Sequence, residues 1–487
     1  MKKNILSILI AISLIVGSVF LGGCSKKSGD DKIVVAYYMN STIAEDISLV
    51  QDAINEHVKD KIGAEVELVV LPMGTYNDQI NLMLTSSEKL DLFIMNSSRF
   101  NSYIANGQCM GLSALIESYG QDIKDLLGEQ LIRGGEVGGE VYGIMPYRDI
   151  AQGVGLFIRK DYVEKYNIDI DNVKTWKDVE NVLSTIKTNE PSLYQLIVEK
   201  NETLTPVELM AGKDKLGDGY GVLMLYDGDP YKVVNYYETD AYREAVTTMH
   251  RWYEAGYIAP DASISTENIA TQMKAGTGVC YFYKTKTGMD LQESKADGHE
   301  MVHATLLEPC ISTAQTQTVT WGIASQSTNP EAAMKFLNLM YSDQELLNLI
   351  DWGIEGKHYV FTEDGHITYP EGVDSTNCGY NVNMSWAFGN QFLSYVWAGN
   401  DLDIWDQASN AMKNARTSAT MGFSYDSSGV SNEIALLNNV AAEYRLGLET
   451  GLSDPALIDE FVAKLNNAGM QKVMAEKQTQ LDQWLAK

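Results

Sequence analysis

The sequence predicts an α/β protein built as two lobes, and three observations carry that expectation. The chain has 487 residues, too many for one hydrophobic core. It opens with apolar runs of strand length separated by runs of helical period, the β-α-β-α-β order of a doubly wound layer. A further block of strand and helix signals begins near residue 141, and the last hundred residues return mostly to helical spacing.

The elements follow in order. IVVAYY at 33–38 is a short apolar strand, and Ile47, Val50, Ile54 and Val58 mark a helix over 45–61. AEVELVVL at 64–71 alternates like a strand; a helix over 76–87 then leads to the strand DLFIM at 91–95. In such layers ligands sit at the carboxyl ends of strands, which here are the segments 38–42, 73–76 and 96–99. The next block runs from VYGIMP at 141–146 through GLFIRK at 155–160 into a helix over 161–166. Thr175 and Asp178 form a capping box for another helix. From 191 to 235 the pattern loosens, with Gly212, Gly217, Gly219, Gly221 and Gly228 marking turns. Residues 241–253 and 266–274 are helical, and GVCYFY at 278–283 is a strand. Asn329 and Pro330 open a helix over 332–341, Ser342 and Glu345 cap the next, and 453–484 is amphipathic to its end.

Residues 1–24, MKKNILSILIAISLIVGSVFLGGC, carry a positive start at Lys2 and Lys3 and an apolar stretch over 5–21, which together read as an export signal. Leu21, Gly22, Gly23 and Cys24 resemble the bacterial lipobox. That resemblance implies cleavage before Cys24 and lipidation of it. The polar segment SKKSGDD at 25–31 then reads as a flexible leash. The net charge is −28; it becomes −30 once Lys2 and Lys3 leave, which argues against nucleic acid or anionic ligands as partners. Cys109, Cys280, Cys310 and Cys378 are widely spaced, without a CxxC pair. They are read either as up to two disulfides or as free buried thiols. No later apolar run reaches the length of a membrane helix.

The order of motifs resembles the family 1 extracellular solute-binding proteins of ABC importers, the group that includes the maltodextrin-binding proteins. The residues that carry it are VYGIMP with GLFIRKDYVEKYNIDIDNVKTWKDV (155–179), RWYEAGYIAPDA (251–262), TQMKAGTGVCYFY (271–283), WGIASQSTNPEAAMKFLNLMYSD (321–343) and WGIEGKHY (352–359). The resemblance implies a two-lobed periplasmic-binding-protein-like fold of type II, with a helical carboxyl-terminal extension. Hinge crossings would fall near 147–153, 260–263 and 318–322. The expected boundaries are a signal peptide over 1–23, a tether over 24–32, lobe one from 33–147 plus 263–318, and lobe two from 148–262 plus 319–487. The implied function is capture of an extracellular solute, an oligosaccharide, for a membrane permease. The protein would be a monomer held by its lipid on the outer face of the cytoplasmic membrane, with no cofactor and no catalysis. Peptides or other polar solutes are the alternative within the class.

Sugar recognition requires aromatic faces for stacking and planar polar groups for paired hydroxyls, and the chain supplies 27 Tyr and 8 Trp. Tyr38 and Asn40 at the first strand end are candidate cleft residues, as are Asn96 and Tyr76, the last with a competing role in helix packing. Tyr147, Arg148 and Asp149 stand at the implied first hinge; Arg148 either bridges ligand hydroxyls or pairs with Asp149. Tyr283 follows a strand assigned to lobe one, Trp321 lies at an implied crossing, and Trp386 is the preferred stacking residue.

Enzyme chemistry has one signal. His299, Glu300 and His303 match the zinc-protease pattern HExxH, which binds metal only on a helix. Gly298 just upstream and the alternating run to Pro309 favour a strand, on which the two histidines stand too far apart to share one ion. NIDIDN at 167–172 lacks the turn glycine of a calcium loop. A secreted glycosidase remains the other alternative, sharing aromatics, acidity and export.

Overall fold

The computed structural model describes residues 32–39, 45–86 and 88–486. The export signal, most of the tether, Cys24 and Asn40 lie outside the described residues. In chain order the strands of the two main sheets are β1 (Lys32–Met39), β2 (Glu65–Pro72), β3 (Leu92–Asn96), β4 (Gln152–Arg159), β5 (Tyr194–Leu196), β6 (Gly278–Thr285), β7 (Met301–Ile311), β8 (Val319–Ile323) and β9 (Arg416–Thr417).

The first lobe is built on the sheet β8-β3-β1-β2. β1 runs parallel to β2 and β3, as the β-α-β-α-β reading requires. Helix Ile47–Ile62 buries Val50, Ile54, Val58 and Ile62 on this sheet and stops at Gly63, whose φ of 73° suits a residue without a Cβ. β8 closes the sheet antiparallel to β3, from Val319 opposite Asn96 to Ile323 opposite Leu92. The second lobe holds the sheet β9-β7-β4-β6-β5. β4 lies antiparallel between β6 and β7. Helices Ser431–Glu449, Leu457–Asn467 and Met470–Leu485 pack on this lobe's core through Leu437, Leu448, Phe461, Leu465 and Val473.

Strand pairing corrects the expected boundaries. Residues 278–311 belong to the second lobe and not the first, because β6 and β7 hydrogen-bond to β4. Residues 319–323 belong to the first lobe, and Phe336, Leu337, Met340, Tyr380 and Phe388 join the same core. The chain therefore crosses between lobes at 148–151, 312–318 and about 415, each interval lying between a segment of one core and a strand of the other. The expected crossing at 260–263 is not one: Trp252, Ile258 and Ala262 share one second-lobe core, and Ile269 and Met273 pack on Phe157 of β4. The loose segment 191–235 packs on the second lobe through Val207, Tyr220 and Val222.

Cys109, Cys280, Cys310 and Cys378 are free and buried. Burial pushes the Cys109 thiol up to about 12, so the thiol stays protonated and unreactive.

Asp351 ends the helix Gln344–Asp351 in full burial. Its Oδ1 accepts from Met384 N–H at 2.7 Å and its Oδ2 from Ser394 Oγ at 3.0 Å, which fixes the loop carrying Trp386. Burial pushes this carboxyl up to about 7. Because the folded protein then holds the proton more tightly than the unfolded chain, the contribution to stability is complete below about pH 4 and is lost as pH rises through about 7. Unfolding free energy is expected to decline across that window by up to about 1.4 kcal/mol per pH unit from this group. Urea melts of Asp351→Asn should lack that part of the slope; an identical slope would show that the group does not titrate there.

Candidate functional site

The parallel strands β1 and β3 end at the same edge of the first sheet, and there Tyr38 and Asn96 meet. The Tyr38 hydroxyl stands 3.5 Å from Asn96 Oδ1. Its ring lies edge-on to Tyr76 at 4.9 Å and 6.3 Å from Trp386. Burial pushes the Tyr38 phenol up to about 12, against the pull of the Arg148 guanidinium. Arg148, just past the end of the first lobe, lies over the Trp386 ring at 6.0 Å. Tyr147 is fixed by the backbone: its N–H donates to Gly389 O at 2.7 Å and its carbonyl accepts from Gln391 N–H at 2.9 Å. Its ring packs edge-on against Phe392 at 5.1 Å.

Asp149 is held by its own N–H, which donates to Gln391 Oε1 at 3.1 Å. Burial pushes its carboxyl up to about 6, although Lys286, hydrogen bonds from Thr287 and Arg148 all pull it down. Its Oδ1 is buried with no hydrogen-bond partner among the described residues. Among the described residues Arg148 and Asp149 form no ion pair within 4 Å, although each acts on the other's charge, and both side chains line the cavity beside them.

That cavity has a volume of ≈ 460 Å³ and lies between the lobes. First-lobe residues Trp386, Gln391, Asn400 and Trp405 form one wall. The other wall is the helix Met289–Asp297 and the turn before it, through Lys286, Thr287, Gln292 and Lys295. The lobes approach closely at Gly288, where a Cβ would sit 3.1 Å from Ile404 Cδ1 and where φ is +74°. Lys295 Nζ donates across the gap to Gly399 O at 3.4 Å. Trp405 is oriented by its indole N–H, which donates to Ser394 O at 2.7 Å. A groove of ≈ 490 Å³ on the second lobe, between helices Trp176–Asn189 and Asp240–Glu254, is lined by that lobe alone.

Of the expected site residues, Arg148, Asp149 and Trp386 line the interlobe cavity, and Tyr38 and Asn96 stand behind Trp386 and Arg148. Four lie elsewhere, one of them Tyr147, which is buried against Phe392. Trp321 is fully buried in the first core, with its indole N–H donating to Ala387 O at 2.8 Å. Tyr76 is buried as well: its hydroxyl donates to Ala36 O and Ile94 O and accepts from Ile94 N–H, clamping β1 to β3. Tyr283 packs edge-on to Phe157 and Tyr281 on the second sheet, because alternate residues of β6 share a face. The sequence reading missed Lys286, Gln292, Lys295, Gln391 and Trp405. Lys286 carried a usable signal, since it stands just past the strand that GVCYFY opens, Gly278–Thr285.

The HEMVH run does not form a helix. Glu300 precedes β7 and His303 lies on it; His303 Nδ1 pairs with Asp290 at 2.5 Å, while His299 Nε2 bonds Met273 O at 3.1 Å. Among the described residues no group of three or more His, Cys, Asp or Glu side chains is placed to hold a metal ion.

Two α/β lobes joined by three crossings around a lined cavity match the bacterial extracellular solute-binding protein family, whose model covers residues 43–346. The chain belongs to that family. A domain of unknown function, DUF3502, matches 419–486, the carboxyl-terminal helices. A carbohydrate ABC transporter substrate-binding protein of Streptococcus pneumoniae is 27% identical over 484 residues, spanning 96% of this chain and 94% of its own. Among solved structures, the N-glycan transport solute binding protein of S. pneumoniae aligns at a TM-score of 0.77 with 24% identity, over 93% of this chain and 99% of that one. An HMO binding, ABC-transporter associated solute binding protein of Bifidobacterium longum infantis aligns at a TM-score of 0.62 with 16% identity, over 93% of this chain and 99% of that one.

Proposed function

We propose that this solute-binding protein captures a carbohydrate between its lobes and hands it to the membrane permease of an ABC importer, without catalysing any reaction. The observation that carries this reading is the interlobe cavity. It combines two indoles, Trp386 and Trp405, with the planar polar groups of Arg148, Asp149, Gln292 and Gln391. Indole faces accept the C–H face of a sugar, and amide, carboxylate and guanidinium groups each reach paired hydroxyls. The relatives' own roles, carbohydrate and N-glycan transport, support the same ligand class. Lobe closure about the crossings at 148–151, 312–318 and 415 removes the ligand from water and adds contacts from the second wall. The pneumococcal relative aligns at 0.77 in one structure but at 0.64 and 0.61 in its complexes with Man1GlcNAc and Man5GlcNAc. That spread is what two rigid lobes changing their angle would give. A lipid on Cys24 would tether a monomer beside the permease and raise its local concentration there.

A thermal-shift screen of the chain without residues 1–24, against oligosaccharides, peptides, polyamines and Zn²⁺, tests the reading. A ligand at 100 times its dissociation constant stabilises by roughly 2.7 kcal/mol, enough to raise the melting midpoint by a few degrees. A shift with oligosaccharides is expected. A shift with peptides alone replaces the ligand class, and hydrolysis of any bound sugar overturns the receptor reading.

A further inference from the structure

The cleft inverts the charge of the molecule that contains it. The chain carries 65 acidic against 37 basic residues, yet the cavity between its lobes is lined by Arg148, Lys286 and Lys295 and by one carboxylate, Asp149. None of the three cations forms an ion pair among the described residues, although cations elsewhere on the chain do so repeatedly. Lys295 reaches only a backbone carbonyl. Burial lowers the proton affinity of Arg148 in spite of the opposing pull of Asp149, the one carboxylate in the lining, which Lys286 also faces. Of the acids nearby, Asp290 pairs with His303 and Asp403 accepts from Gln407, while Glu293 accepts from Tyr281 and feels Lys286 without an ion pair to it. Arg148 is partly buried, whereas Lys286 and Lys295 are exposed on the open wall; lobe closure would take them from water, and an anion on the ligand would then offset that cost.

We propose that the ligand is an anionic glycan whose oxyanion, a uronic or sialic carboxylate or a sulfate ester, is neutralised by Arg148, Lys286 and Lys295 while its ring stacks on Trp386. The inference rests on the carbohydrate reading above and narrows it. The guanidinium fork of Arg148 matches a carboxylate or sulfate through two parallel N–H donors, and the two lysines add point charges from the opposite lobe. Net charge, which argues against anionic ligands for the molecule as a whole, sets the far field and not the field inside a cleft.

The test is a glycan array probed with the chain lacking residues 1–24, each acidic glycan printed beside its carboxyl-reduced or desulfated twin. The charged member is expected to bind about tenfold or more tightly than its twin. On that glycan, Lys286→Gln and Lys295→Gln should each weaken binding several-fold with the melting midpoint unchanged. Carboxylated or sulfated hits identify which oxyanion is read. Equal binding of the twins, or neutral hits alone, overturns the inference and leaves the carbohydrate reading standing; no hit of either kind overturns both.

Discussion

Replacing Trp386 with alanine is expected to weaken glycan binding by roughly tenfold or more, a loss of about 1.4 kcal/mol, while barely moving the melting midpoint of the unliganded protein. The asymmetry follows from where the indole sits. It rests on a short turn, Ser385–Ala387, whose neighbours Ser385 and Ala387 are buried while Trp386 itself is only half-buried. The Trp386 ring is 6.3 Å from the tilted ring of Tyr38 and carries the Arg148 guanidinium over it at 6.0 Å, and the residue lines the cavity. Its indole nitrogen makes no hydrogen bond among the described residues, unlike those of Trp321 and Trp405, and is available as a donor to a ligand hydroxyl. Truncation therefore removes a stacking face and a donor from the site, and from the first core only the contacts of a half-buried side chain at its margin. Isothermal titration with the glycan recovered from the screen decides the point, and an unchanged affinity would remove Trp386 from the site.

Of the residues at the candidate site, Tyr38 and Asn96 are legible from the strand pattern, whereas Arg148, Asp149 and Trp386 are reached through the family resemblance. Parallel strands put their carboxyl ends on one edge, so reading β1 and β3 as strands was enough to place Tyr38 and Asn96 there. Arg148 and Asp149 come from the implied first hinge, and Trp386 from the place where the resemblance implies a stacking tryptophan. Sheet membership was not legible. VTWGI is a buried apolar run that would serve in either sheet, and its pairing with β3, more than two hundred residues earlier, leaves no local mark. Trp321 was consequently read as a crossing residue when it fills the first core. The same non-local pairing moved 278–311 to the second lobe, and with it the helix Met289–Asp297, whose polar face reads from sequence as ordinary solvent-exposed surface. Lys286, Gln292 and Lys295 became visible only once that helix was seen to form the opposite wall of the cavity.

Arg445→Ala is expected to destabilise the protein by about 3–5 kcal/mol, the cost of leaving buried charge without its partner. Arg445 Nε donates to Glu449 Oε1 at 2.9 Å, and Nη2 donates to Glu208 Oε2 at 3.0 Å and to Glu202 O at 3.1 Å. Glu449 is fully buried, and its Oε2 is otherwise bonded by the Thr205 hydroxyl at 2.7 Å. Glu208 is also bound by Lys213 at 2.9 Å and Lys215 at 2.7 Å; the surrounding cations hold its carboxyl down at about 2 in spite of burial. Without Arg445, Glu208 keeps two cations, whereas Glu449 keeps a single hydroxyl inside an apolar core. The guanidinium is thus the bond between the helix Ser431–Glu449 and the segment 202–208, attaching the carboxyl-terminal helices to the second lobe. Arg445→Lys retains the charge but not the fork that reaches three acceptors, so its loss should fall between wild type and alanine. Urea denaturation followed by tryptophan fluorescence, with hydrogen exchange of residues 431–485, reads both the loss and its location. Exchange should accelerate first in these helices, and a stability within about 1 kcal/mol of wild type would show that apolar packing of Leu437, Leu448 and Phe461 holds them without the charge network.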